Sequence, residues 1–278
     1  MSATRAEGEA IVPKSSTLST RVATAVALLA IFISALLYLP NLWWKVFLLP
    51  VLVGASWEWS ALSGIPTIGR WAFCALTVAS ALVLGMTGGN ALYALMVTAS
   101  SVFWIVLVPA WLVSRWRASM PLLLFAGWVT LVPSWLALGQ LQIHPGELLV
   151  ILGIIWLMDT CAYLAGRAWG RHKLAVSISP GKTWEGVAGG VTAVAVYYVL
   201  LSRFLPDWSW WANGKGMILF VCVTAASVIG DLFESWIKRQ AGVKDSGTLL
   251  PGHGGILDRI DSLTSGAPLA AALLFHIK

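Results

Sequence analysis

Charge is what this sequence has least of. Of its 278 residues, 18 are Lys or Arg and 12 are Asp or Glu, 11% in all, against the ~25% usual for soluble domains. That scarcity excludes an ordinary water-soluble domain. The formal charge of +6 is spread too thinly for a nucleic-acid surface, so no nucleic-acid partner is expected. It suits a chain facing anionic lipid headgroups. Cysteine is also scarce: Cys74, Cys161 and Cys222 lie in separate apolar runs. Their spacing excludes a disulfide framework and a cysteine metal centre. No internal repeat is evident by eye. No cleavable leader is expected either, because the first twenty or so residues are polar and include two glutamates.

Apolar sequence is what the chain has in quantity. Hydrophobic residues make up 58% of it, more than one soluble core could use. Apolar runs fall at 22–39, 43–63, 71–88, 91–113, 120–140, 147–166, 184–204, 216–237 and 262–277. Most have the ~20 residues that a bilayer core requires. The expected fold is therefore an all-α polytopic integral membrane protein with about nine transmembrane helices. Seventeen tryptophans fit aromatic belts at the two interfaces. With the N-terminus in the cytoplasm, only Lys45, Arg203, Lys215 and Lys278 fall outside, and the other Lys and Arg stay inside. This bias orients the chain and puts the charged loops 167–183 and 238–261 on the cytoplasmic face. Three regions are expected: a polar tail over 1–20, scaffold helices over 21–145 and a catalytic region over 146–278. The brief tail, with no Arg-rich transit segment, favours the bacterial inner membrane.

The remaining polar residues cluster. Asp159 ends a very apolar run, with Tyr163 one turn further on; an intramembrane carboxylate is either paired structurally or functional. Glu58, between Trp57 and Trp59, poses the same choice between a site role, a helix end and a partner on a neighbouring helix. Ser179-Pro180-Gly181-Lys182-Thr183-Trp184-Glu185-Gly186 reads as a loop opening a helix, with Glu185 in the first turn. Lys182 and the amides of that helix start make a place for an anion. Its Gly-Lys-Thr looks like the end of a P-loop. However, Val176 stands where the first glycine would be, and no strand is expected before it. Ser227, Asp231, Ser235 and Lys238 fall on one helical stripe that is too polar to face lipid.

The densest island runs from Ser235 to Ser262. Lys238, Arg239, Lys244 and Asp245 come first, then Pro251-Gly252-His253-Gly254-Gly255, then Asp258, Arg259 and Asp261. Taken singly, Lys-Arg beside a membrane helix is a topological marker, a Gly-Gly turn is a turn and Asp-Arg is a salt bridge. Taken together they supply amides and cations for phosphates and carboxylates for a divalent cation. A helix resuming near Ile256 would put Asp258 and Asp261 on one face.

This stretch resembles the signature of the phosphatidate cytidylyltransferase family: Ser-x-x-Lys-Arg, Lys-Asp, then Pro-Gly-His-Gly-Gly-x-x-Asp-Arg-x-Asp. The Asp-x-x-Ala-Tyr at 159–163 and the Ser-Pro-x-Lys-Thr-x-Glu-Gly at 179–186 resemble two further elements of that family. The resemblance implies transfer of the cytidylyl group of CTP to phosphatidate, with Mg2+ as cofactor and room for a second cation. It implies Asp231 and Asp258 as the metal pair with Asp261 as a further ligand. Lys238, Arg259 and His253 would serve the reaction. Lys182, Ser235, Arg239, Gly252, Gly254, Gly255, Asp159 and Tyr163 would bind substrate. CTP, phosphatidate and membrane lipids are the expected partners, and a homodimer is compatible. A CDP-alcohol phosphotransferase would need an Asp-Gly-x-x-Ala-Arg pattern that is absent. The remaining alternative is an inactive relative or a lipid or anion transporter, which would more often carry repeated halves or paired broken helices.

Overall fold

The computed structural model describes residues 18–204, 214–249 and 254–277; the side chains of 18–25, 28 and 277 are not described. Helices α1 (Leu18–Tyr38), α2 (Asn41–Leu62), α3 (Thr67–Thr87) and α4 (Asn90–Val102) follow one another through short turns. A π-helical segment, Phe103–Leu107, joins α4 to α5 (Val108–Ser114), so that Asn90–Ser114 forms one rod. Then come α6 (Met120–Leu141), α7 (Pro145–Trp169), a β-hairpin, α8 (Trp184–Phe204), α9 (Gly214–Gln240) and α10 (Leu257–Ile277). Prolines sit in the first turn of α6 and α7, where the missing N–H costs no helical hydrogen bond.

Six helices among the described residues are long and apolar enough to cross a membrane: α3, the Asn90–Ser114 rod and α6 to α9. That fits a multi-pass membrane protein. The expectation of about nine spans adds α1, α2 and α10, which stand outside that set.

Three expectations change. The Ser179–Thr183 segment is not a loop but strand β2 (Ser179–Thr183), paired antiparallel with β1 (Lys173–Ala175). Strands this short leave no readable periodicity in sequence. Several tryptophans face the protein interior rather than its surface. Trp44, Trp59, Trp104, Trp111, Trp135 and Trp236 are buried in the helical core. Last, α9 runs on to Gln240 and α10 begins at Leu257, so the charged segment starts later than 238: Lys238 stays on its helical stripe, and Arg239 is helical too.

Packing sets the orientation of α9. Phe233 is enclosed by the rings of Trp59, Phe103, Trp104 and Trp111, at centroid distances of 6.2, 5.8, 5.5 and 5.3 Å. Each such pair is worth about 0.5–1.5 kcal/mol beyond simple burial. With Phe233 held on that side, the polar stripe of α9 faces α7, α10 and the hairpin. The second close fit is between α7 and α8. A side chain on Gly189 or Gly190 would run into Ala165 or Met158 of α7, so the glycines let the two backbones approach. The consequence is a short distance between Asp159 on α7 and the hairpin leading into α8.

Candidate active site

A cavity of about 340 Å3 lies where α7, α8, α9 and the hairpin meet. Asp159, Tyr163 and Arg167 line it from α7, Ser179 and Lys182 from the hairpin, and Asp231 from α9. Lys182 Nζ forms an ion pair with Asp231 Oδ2. The Asp159 carboxylate accepts hydrogen bonds from Ser227 Oγ (3.3 Å) and Ser262 Oγ (3.1 Å), joining α7 to α9 and α10. Arg167 Nη1 donates to Tyr163 Oη at 3.1 Å. The remaining wall is apolar, with Met158, Ala162, Val187 and Val228.

Local structure holds the hairpin against this cavity. Thr183 Oγ1 accepts the amide of Gly186 at 3.1 Å and so caps α8. Glu185 binds the amides of Arg171 (3.1 Å) and His172 (3.2 Å) and the His172 ring. Arg239 Nε donates to the carbonyl of Ile178 at the hairpin turn, 3.2 Å away, and Nη1 to Val243 O at 3.3 Å. Arg239 thus ties hairpin to helix in this structure.

Beyond the Lys182–Asp231 pair lies a second, more enclosed charge cluster. Lys238 Nζ donates to Asp258 Oδ1 at 2.6 Å and to Glu234 Oε2 at 3.1 Å. Asp258 Oδ2 accepts from the Ser246 amide, the Ser246 hydroxyl and the Gly255 amide, each at 3.0 Å. Both oxygens of Asp258 are therefore engaged by protein donors. Asp261, one turn further along α10, is within electrostatic reach of Asp231, Glu234 and Asp159. The two acids share a helix face as the spacing suggested, yet they serve different neighbourhoods. Gly254 has φ +87, a left-handed conformation suited to glycine.

The structure brings Asp159, Tyr163, Lys182 and Asp231 together around one cavity, and Lys238 with Asp258 beside it. Ser235 is buried on α9, and Arg259 is exposed at the start of α10. Gly252 and His253 lie outside the described residues. The Gly255 amide, expected to meet phosphate, faces Asp258 instead. Glu234 and Ser246 were not singled out from sequence. Glu234 had a readable signal, because an acid three residues after Asp231 falls near the same stripe. Its Oε1 is buried with no hydrogen-bond partner among the described residues.

The sequence model of the Cytidylyltransferase family matches residues 19–277. The chain belongs to that family. Among curated relatives of this chain, the Phosphatidate cytidylyltransferase of Pseudomonas aeruginosa is 37% identical over 275 residues, 93% of this chain and 97% of the relative. The Phosphatidate cytidylyltransferase of Brucella suis is 34% identical over 266 residues, 94% of this chain and 93% of the relative. A plant protein, Phosphatidate cytidylyltransferase 5, chloroplastic, of Arabidopsis thaliana, is 51% identical over 124 residues. That match covers 44% of this chain and 30% of the plant protein.

Proposed function

We infer that this chain transfers the cytidylyl group of CTP to phosphatidate, releasing pyrophosphate and leaving CDP-diacylglycerol in the bilayer. Full-length relatives carrying the name of this activity support the reading, as does membership of the family. The observation that carries it is the Lys182–Asp231 pair on a cavity set among apolar helices. A cation and a carboxylate are held there where a lipid phosphate and a nucleotide can meet.

In the reaction, a phosphate oxygen of phosphatidate forms a bond to the α-phosphorus of CTP. The bond from that phosphorus to the bridging oxygen breaks, and its electrons leave with pyrophosphate. The nucleophile is already anionic, so no strong base is required. Positioning and charge neutralisation carry the rate. Lys182 and Arg167 would offset phosphate charge, and Tyr163 would hydrogen-bond to substrate from the same wall.

The carboxylates fit a hard divalent cation such as Mg2+. Asp231 and Asp261 would hold it, with Asp159 beside them. Among the described residues no three acids form a ready cage. Mg2+ commonly takes one or two carboxylates and completes its shell with water and substrate phosphates. When bound, the ion would neutralise charge on the phosphates. Asp258 is the less suitable ligand, because its oxygens already receive hydrogen bonds from Lys238 and from the Ser246 and Gly255 amides, with the Ser246 hydroxyl also in reach. We assign it to ordering Lys238, Ser246 and Gly255.

Nine spans with the N-terminus inside would bring the hairpin and the 241–256 loop to the cytoplasmic face of a bacterial inner membrane. Fourteen of the 18 Lys and Arg residues then lie inside. Cysteine placed at the exposed Ser177 should resist labelling from outside intact cells, and efficient outside labelling would reverse the orientation. For the activity, purified protein in lipid nanodiscs is given CTP, Mg2+ and phosphatidate. Equimolar pyrophosphate and CDP-diacylglycerol are expected; the absence of both would defeat the assignment.

A further inference from the structure

Glu58 lies on α2, nearly two hundred residues before the segment it touches, and the proposed chemistry does not call on it. The residue is only 2% exposed, and an unpartnered ion in such a place would be costly. Among the described residues its hydrogen-bond partners are Ser246, Ile256 and Leu257. Oε1 accepts the Ile256 amide at 3.0 Å, and Oε2 accepts the Leu257 amide and the Ser246 hydroxyl, each at 2.9 Å. The two amides stand at the start of α10, where no preceding turn supplies carbonyls. A carboxylate there also meets the positive end of the helix. These amides are therefore closed to a phosphate.

The network continues into the charge cluster. The Ser246 hydroxyl lies between Glu58 Oε2 and Asp258 Oδ2. It has one proton, so it serves one carboxylate at a time, while the Ser246 amide stays on Asp258. Gly247 and Gly255 lie close against Glu58: a side chain on either would run into its carboxylate.

We propose that Glu58 is a positioning residue, fixing where α10 begins and thereby where Asp258 and Asp261 point. Successive residues on a helix are turned by about 100°, so a slip of one residue at this cap would carry Asp261 away from Asp231 and Asp159. The proposal rests on the cytidylyl-transfer reading of the site.

Glu58→Gln tests it, because the amide group keeps the size but replaces one acceptor oxygen with a donor. Either the Ile256 or the Leu257 amide must then lose its acceptor, while the Ser246 hydroxyl can turn its proton to Asp258 and accept from the new amide group. In purified full-length protein, kcat should fall by about ten- to hundredfold. The KM for CTP should stay within about threefold, since the Lys182 side of the cavity is untouched. Amide hydrogen exchange over 254–260 should quicken, with α7 and α8 unchanged. Wild-type kcat, unchanged exchange over 254–260, or a higher KM for CTP with kcat intact would each overturn the proposal. Should Glu58→Gln fail to fold, Ser246→Ala decides: it keeps Glu58 and both amide bonds and should give a smaller kcat loss with faster loop exchange. No change in either would also overturn the proposal. The exchange measurement needs no turnover, so a wild type that makes no CDP-diacylglycerol would defeat the transfer reading while leaving the Glu58 cap separately testable.

Discussion

Two lysine–aspartate pairs stand close together, and they differ in what surrounds them. Lys182 and Asp231 bridge the hairpin and α9 at the edge of a cavity, with side chains 23% and 31% exposed. Lys238 and Asp258 bridge α9 and α10, with side chains 11% and 13% exposed. Glu234, Ser246 and Gly255 fill the remaining positions around this inner pair. An open pair can trade partners with an incoming phosphate at little cost. A closed pair cannot, because separating it leaves buried charge without compensation. The same two side chains are thus suited to substrate in one place and to architecture in the other.

The largest effect should come from the open acid. Asp231→Asn should lower turnover by about a thousandfold or more, since an amide is a poorer partner for a hard cation and the charge stabilisation it supports is worth several kcal/mol. Its thermal unfolding should stay near wild type. Asp258→Asn should show the reverse balance. It removes the charge opposite buried Lys238, a change that typically costs about 3–5 kcal/mol, so unfolding temperature should drop clearly. An Asp258→Asn protein as stable as wild type would erase the distinction between the pairs.

The lysines sharpen the comparison at smaller amplitude. Lys182→Gln should lower kcat/KM for CTP by about ten- to hundredfold, the loss of one charge-assisted contact, with little change in stability. Lys238→Gln should lower stability as well as turnover, because Glu234 and Asp258 then lose their shared cation. Steady-state kinetics beside thermal unfolding separates the two outcomes. Smallest is Thr183→Ala, which removes the cap of α8 beside Lys182. It should cost about 1 kcal/mol of stability and change CTP kinetics only slightly.

Much of this arrangement was readable from local spacing. Asp159 and Tyr163, one turn apart, do line one cavity. The stripe of Ser227, Asp231, Ser235 and Lys238 does face the interior, and α10 does resume beside Ile256. What local spacing could not carry is contact across the chain. Glu58 showed itself as an ionisable residue in an apolar run, but its partners lie at positions 246, 256 and 257. The hairpin escaped because three- and five-residue strands joined by a tight turn have too little periodicity to read. The buried tryptophans escaped because composition cannot separate an aromatic belt from an aromatic core. Lys238 could be placed on α9, but not which carboxylate it would meet. That depends on where α10 begins relative to α9.

The central claim is that Asp231 serves the metal-dependent chemistry and Asp258 serves the framework. A magnesium titration of pyrophosphate release measures this directly, using Asp231→Glu and Asp258→Glu so that a carboxylate remains at each position. Asp231→Glu should raise the Mg2+ concentration for half-maximal rate by about tenfold or more, while Asp258→Glu, whatever its maximal rate, should leave that concentration unchanged. A shift confined to Asp258→Glu would contradict the account and exchange the two roles.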